Sequence, residues 1–201
     1  MKKLIVILDP AHGANIAGKC SPDGTHREYR WSRERVKGVL SKLKMANFEV
    51  YQTTLSENEP GLSYRKNFAT RICPGQPKLF LSLHNNASGD STKWGDAKGT
   101  ALYTTKGITK ADKCADIIFQ RFSKDFPDIN MRKYSCEKLG KDFEENFTVL
   151  MGRDYMGVLI EWLFQDNRQD VEKLADAEMN ERFELSLVKA IEEINERIES
   201  L

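Results

Sequence analysis

LIVILDPAHGAN, residues 4–15, decides how this chain is read. Five consecutive apolar residues, Leu4 to Leu8, give way at once to Asp9-Pro10 and a glycine-containing turn. A short, near-continuous apolar run is the mark of a strand buried on both faces, as in a parallel sheet covered by helices. The pattern recurs in LFLSLHNNAS, residues 79–88, and in GVLIEWLF, residues 157–164. His12 and His84 fall just after the first two runs, and Glu161 follows Ile160 in the third. Strands of one open sheet deliver such residues to a common place, because these sheets put their sites at the carboxyl ends of their strands.

Working outward, the segments between these runs read as helices. The stretch Glu28 to Met45 spaces Trp31, Val36, Val39, Leu40 and Leu43 at helical intervals. Phe48 to Thr53 alternates as a strand, and Leu62 to Ile72 reads as a short helix closed by Pro74-Gly75. Thr100 to Thr104 is a strand, and Lys110 to Phe126 an amphipathic helix. Phe147 to Met151 reads as a strand, and Val171 to Ile198 as one or two helices. Residues 128–146 are charged and irregular and take no assignment. The alternation predicts a single-domain α/β sandwich over residues 1–201, with a mainly parallel, mixed central sheet flanked by helices.

Composition narrows the function. Thirty-one basic and 30 acidic residues leave a net charge of +1, which is not the footprint of a nucleic-acid binder. Cys20, Cys73, Cys114 and Cys136 are widely spaced and read as free thiols, without a cysteine zinc motif. The first apolar run is too short for a signal peptide or a membrane span, so synthesis in the cytoplasm is expected; a monomer is expected as well.

The chemistry rests on a few residues. There are only three histidines. His12, between Ala11 and Gly13, can point into an open site, although a surface-loop histidine fits it as well. His84 alone also suits a satisfied histidine at a strand end. Glu28 opens a helix, where the helix dipole favours an acid in any case. Taken together, two histidines and one glutamate make a zinc set with an open fourth position. Glu161, in VLIEWLF, is costly to bury unless it works, and suits a general base. His26 reads as a supporting or solvent-exposed residue. Asp9 reads as holding a ligand histidine, and Asn86 as orienting the loop after His84.

These residues resemble a known set. ILDPAHGAN is similar to the DPGHGG opening of the zinc-dependent N-acetylmuramoyl-L-alanine amidases of the Amidase_3 type. LSYR at 62–65, LFLSLHNNAS, KGTALY at 98–103 and VLIEWLFQDN at 158–167 resemble that family's later motifs, in order. The resemblance implies Zn²⁺ held by His12, Glu28 and His84, with Glu161 as catalytic base. It implies hydrolysis of the amide joining N-acetylmuramic acid to L-alanine in peptidoglycan. With no signal peptide or wall-binding module read in the sequence, the expected setting is that of a phage or prophage endolysin acting on the wall after release, with a signal-less bacterial amidase as the alternative. The Asn85–Gly99 loop with Trp94 is expected to line the groove. Ala11, Ala14 and Leu163 stand where the family carries glycine, and Leu163 is expected to narrow the groove. A zinc carboxypeptidase on stem peptides and a non-catalytic wall-binding domain are the competing readings.

Overall fold

The computed structural model describes residues 4–133 and 140–201. Six strands form one sheet: β1 Ile5–Pro10, β2 Glu49–Gln52, β3 Lys78–Asn86, β4 Ala101–Thr104, β5 Phe143–Glu144 and β6 Met156–Phe164. Five helices accompany them: α1 Glu28–Met45, α2 Leu62–Arg71, α3 Lys110–Asp125, α4 Arg168–Ala175 and α5 Ala177–Arg197. The strand order is β2-β1-β3-β6-β4-β5. All neighbours run parallel except β4, which is antiparallel to β6. The expected α/β sandwich with a mainly parallel, mixed sheet is what the chain forms.

Alternation along the strands divides the sheet into two unequal faces. One face carries Val6, Leu8, Leu81, Leu83, Val158 and Ile160 and is covered by α1, α3 and α5 in the larger core. The other carries Ile5, Ile7, Phe80 and Leu159, and among the described residues α2, a 3₁₀ turn at Thr148–Leu150 and Tyr155 cover it. Continuing the same alternation toward the carboxyl ends, this second face presents Asp9, Ser82, His84 and Glu161. The apolar cover stops short of them, and polar side chains take its place: Arg65 of α2 and Thr53 close over Asp9, which with Ser82 is fully buried.

Three expectations change in detail. Phe147–Met151 is not a strand: Thr148–Leu150 is a 3₁₀ turn whose Val149 and Leu150 plug the smaller core. Its apolar residues seal the sheet from outside, a role that periodicity over five residues does not distinguish from membership. Within the unassigned 128–146 stretch, Phe143–Glu144 adds a short edge strand beside β4. Val171 to Ile198 is divided between α4 and α5, with the Asp176 side chain capping α5 through the Met179 N–H. Cys20 and Cys73 are half-buried free thiols and Cys114 a buried one, while Cys136 lies outside the described residues. Among the described residues, no helix is long and apolar enough to cross a membrane.

Asp142, just before β5, is almost wholly buried. Thr104 Oγ1 lies 2.6 Å from its Oδ2 and 2.9 Å from Asp112 Oδ1. Burial, followed by the charges of Asp112 and Asp116, pushes the Asp142 carboxyl up to about 6 from 3.8, against the hydrogen bond from Thr104. A carboxyl raised in this way binds its proton more tightly in the folded chain. Its contribution is therefore present below pH 3.8 and is lost as pH rises through 6. Asp142→Asn keeps an acceptor for Thr104 and removes the loss. Melting curves at pH 3.5, 5 and 7.5 should show the variant's advantage over the wild type growing as pH rises, by roughly 1 kcal/mol between pH 5 and 7.5, a figure discounted for nearby solvent.

Candidate metal centre and active site

Parallel pairing sets the site. β1 and β3 are in register at Asp9↔Ser82, and β3 and β6 at His84↔Glu161. His84 thus lies inside β3, near its end, and Glu161 stands on the adjacent strand. His12 follows β1 in the left-handed region, at φ 44. Its loop is held by Ser32 Oγ, which accepts from the Ala11 N–H at 2.7 Å, and by Arg33, which donates to the carbonyls of Ala11 (3.0 Å) and His12 (2.9 Å). Gly13 is required by close approach: a Cβ there would lie 2.0 Å from the Glu59 nitrogen. Glu28, the first residue of α1, turns inward and is 1% exposed.

These elements bring the four expected residues together. The ligand-capable atoms of His12, Glu28 and His84 all lie within 4.8 Å of one another. Glu28 Oε1 is 3.0 Å from His84 Nδ1 and 3.4 Å from His12 Nε2. The two imidazole rings meet edge to face at 4.9 Å. Burial lowers both histidines to about 3, so each ring is neutral and offers a lone pair. Burial raises Glu28, partly offset by His12 and by the Asn85 N–H, which donates to Oε1 at 3.1 Å. Burial and then the Glu28 charge raise Glu161 well above the ordinary glutamate range, with Lys19 opposing. Glu161 Oε2 is buried and has no hydrogen-bond partner.

The tautomer of His84 follows from its neighbours. Arg65 is almost fully buried and donates to Asp9 Oδ2 at 2.9 Å. Thr53 Oγ1 donates to Asp9 Oδ1 at 2.5 Å, and Ser82 Oγ donates to Asp9 Oδ2 at 2.6 Å. The single Ser82 hydroxyl proton is thereby committed, so Ser82 can only accept from His84 Nε2, 3.1 Å away. Nε2 carries the proton and Nδ1 presents its lone pair to Glu28 Oε1. Two acceptors facing each other at 3.0 Å need a proton or a metal ion between them. The donor set fits a metal ion for that reason, and nitrogen and carboxylate donors with an open side suit zinc.

The supporting residues differ from those expected. Asp9 holds His84 through Ser82, not directly. Asn86 Oδ1 accepts from the Ala87 N–H at 2.8 Å, within the loop that follows His84. Its neighbour Asn85 makes the contacts to the site: Oδ1 receives His26 Nε2 at 2.9 Å, Nδ2 donates to the Trp162 carbonyl at 2.6 Å, and the backbone N–H holds Glu28. His26 is a buried supporting residue, not a solvent-exposed one. Leu163 does not narrow the groove. A bulge sets Trp162 and Leu163 against Asn85 alone, and Leu163 adopts φ 60 with its side chain fully buried in the larger core. A left-handed non-glycine residue costs about 1 kcal/mol, and burial of the leucine side chain offsets this. Trp94, in the polar loop, is covered by the Arg168 guanidinium 4.4 Å from its ring.

Arg65 and Asp9 are a buried charge pair beneath the site. Arg65→Met leaves Asp9 charged without its partner and should cost about 3–5 kcal/mol. Urea midpoints check this, and adding Asp9→Asn should recover part of the loss.

Comparison with known proteins now bears on this geometry. The family model described as Amidase_3, N-acetylmuramoyl-L-alanine amidase, matches residues 6–193. The chain belongs to this family. Similar solved structures include an N-acetylmuramoyl-L-alanine amidase from Clostridium difficile 630, with a TM-score of 0.81 at 18% identity, covering 96% of this chain and 97% of that one. The catalytic domain of CwlV, an N-acetylmuramoyl-L-alanine amidase from Bacillus (Paenibacillus) polymyxa var. colistinus, has a TM-score of 0.79 at 23% identity, covering 96% and 97%. AmiC2 of Nostoc punctiforme, also an N-acetylmuramoyl-L-alanine amidase, has a TM-score of 0.80 at 20% identity, covering 96% and 98%. At these identities the structures establish a shared Amidase_3 fold. No curated protein matches the chain.

Proposed function

We propose that this Amidase_3 member is a zinc-dependent hydrolase of the amide between the lactyl group of N-acetylmuramic acid and L-alanine in peptidoglycan. The observation that carries the reading is the opposed pair of acceptors, His84 Nδ1 and Glu28 Oε1, with His12 beside them and the unpartnered Glu161 on the next strand. His12, Glu28 and His84 would hold the ion. When bound, Zn²⁺ supplies Lewis-acid polarisation of the scissile carbonyl and lowers the pKa of water in the site.

The chain's own residues supply the proton traffic. Glu161 accepts the proton of the attacking water at Oε2 and delivers it to the departing alanine nitrogen. Its upward shift brings it toward the operating pH, where a general base is most effective. Arg65, Asp9 and Ser82 fix His84 as a lone-pair donor throughout. We extend the proposal to an endolysin-like setting, with synthesis in the cytoplasm and action on the wall after release.

Digestion of purified sacculi by the zinc-loaded protein tests this. Mass spectrometry should find free stem peptides beginning at L-alanine. Muropeptides trimmed by one residue and still joined to sugar would establish the carboxypeptidase instead. Tight binding without release would establish a wall-binding domain.

A further inference from the structure

We propose that Lys19 is a specificity residue of this site, its ammonium receiving a free carboxylate on the peptide side of the scissile amide. The assignment rests on the amidase reading above.

Residues 19–28 form a small hairpin. Cys20 pairs antiparallel with Arg27, the Ser21 N–H donates to the His26 carbonyl at 3.0 Å, and the Glu28 N–H donates to the Lys19 carbonyl at 3.1 Å. This register sets Lys19 opposite Glu28. Directly opposed residues of an antiparallel pair project to the same side, with Cβ atoms about 4.5–5.5 Å apart. Glu28 projects into the site, so Lys19 stands at its lip. The hairpin is braced at its tip, where Asp23 Oδ1 accepts from Ser21 Oγ (2.6 Å), the Thr25 N–H (3.1 Å) and Thr25 Oγ1 (2.8 Å).

Lys19 is half-buried, and among the described residues no hydrogen bond or ion pair engages its ammonium. Its charge nevertheless reaches the whole site. Behind burial, and behind closer charges where these exist, Lys19 acts on His12, Glu28, His84 and Glu161. A cation with no hydrogen bond or ion pair among the described residues, at the lip of a site that cleaves an amide, fits an anion carried by the substrate. The stem peptide offers one. The α-carboxylate of its second residue, a glutamate, lies about 7 Å from the scissile carbon, the span of two extended residues. In some walls that carboxylate is free and in others it is a primary amide, so a lysine here would distinguish the two.

Two product dipeptides probe this by calorimetry at low salt: L-alanyl-D-glutamate and its α-amide, L-alanyl-D-isoglutamine. Each is titrated into zinc-loaded wild type, Lys19→Met and Lys19→Arg. Wild type should bind the acid about tenfold more tightly than the amide, the usual worth of a hydrogen bond to a charged group. Lys19→Met should bring the ratio near one and Lys19→Arg should keep it. Because both ligands are compared within one variant, a general loss of folding cancels. Equal binding by the wild type, or an unchanged ratio in Lys19→Met, overturns the proposal. Hydrolysis of the corresponding N-acetylmuramoyl dipeptides separates the two readings, with the preference expected in KM. Cleavage of both substrates at equal kcat/KM leaves the amidase standing without Lys19. Selective binding with no cleavage leaves Lys19 standing without the amidase.

Discussion

Glu161→Gln should abolish release of L-alanine-headed peptides from sacculi, by about 10²–10⁴-fold in kcat, while the protein still folds and takes up zinc. Glutamine keeps the shape of the side chain and its place on β6 opposite His84. It cannot accept the water's proton or return one to the alanine nitrogen. The same substitution should raise the melting temperature of the metal-free protein. In the wild type, burial and the Glu28 charge raise the Glu161 carboxyl, and its Oε2 finds no partner. A carboxyl raised in the fold contributes stability that is lost as pH rises through its folded pKa. The neutral amide escapes that loss, so the gain should grow with pH. Kinetics on sacculi and melting curves at several pH values check both halves. A variant that stays active, or that loses stability at high pH, would show that Glu161 is a structural acid instead.

Much of this was legible in the sequence because the physics behind it is local. LIVIL, LFLSL and GVLI are buried strands, and short apolar runs bounded by turn residues are how strands of a covered parallel sheet read. The convergence of His12, His84 and Glu161 followed from their places at the ends of those runs. Glu28 was legible only in company, since a first-turn glutamate has an ordinary explanation. The sequence was silent where the answer depends on register. That Asp9 meets Ser82, and that Ser82 fixes the His84 tautomer, requires β1 and β3 to pair at that offset. Asn85 and Asn86 are chemically identical, and a one-residue bulge decides which of them supports Glu28. Leu163 looked like a groove residue because a glycine is expected there. The bulge turns its side chain into the core, where leucine is well placed. Lys19 carried no signal of its own. A lysine in a glycine-containing loop reads as solvated until the pairing of Cys20 with Arg27 sets it opposite Glu28.

Adding Zn²⁺ to the metal-free protein should raise its melting temperature, and Glu28→Gln should erase that rise together with activity. Without a cation, His84 Nδ1 faces Glu28 Oε1 at 3.0 Å and His12 Nε2 lies 3.4 Å from the same oxygen. Both histidines are lowered to about 3 by burial, so neither brings a proton to relieve the contact. Burial raises the Glu28 carboxyl, so it holds a proton more readily than an ordinary glutamate does. Zinc displaces any proton shared between these atoms, so its uptake should release protons, read in calorimetry as a dependence on buffer ionisation enthalpy. At a free zinc concentration 100 times its Kd, the gain is about 2.7 kcal/mol, roughly 5–10 °C for a chain of this size. In Glu28→Gln the amide N–H₂ can donate to His84 Nδ1, which settles the metal-free site without a charge. That variant should therefore melt no lower than the metal-free wild type, ignore zinc, and release no peptide from sacculi at zinc concentrations that saturate the wild type. A zinc shift that survives in Glu28→Gln would place the ion elsewhere in the molecule and remove the basis for the proposed chemistry.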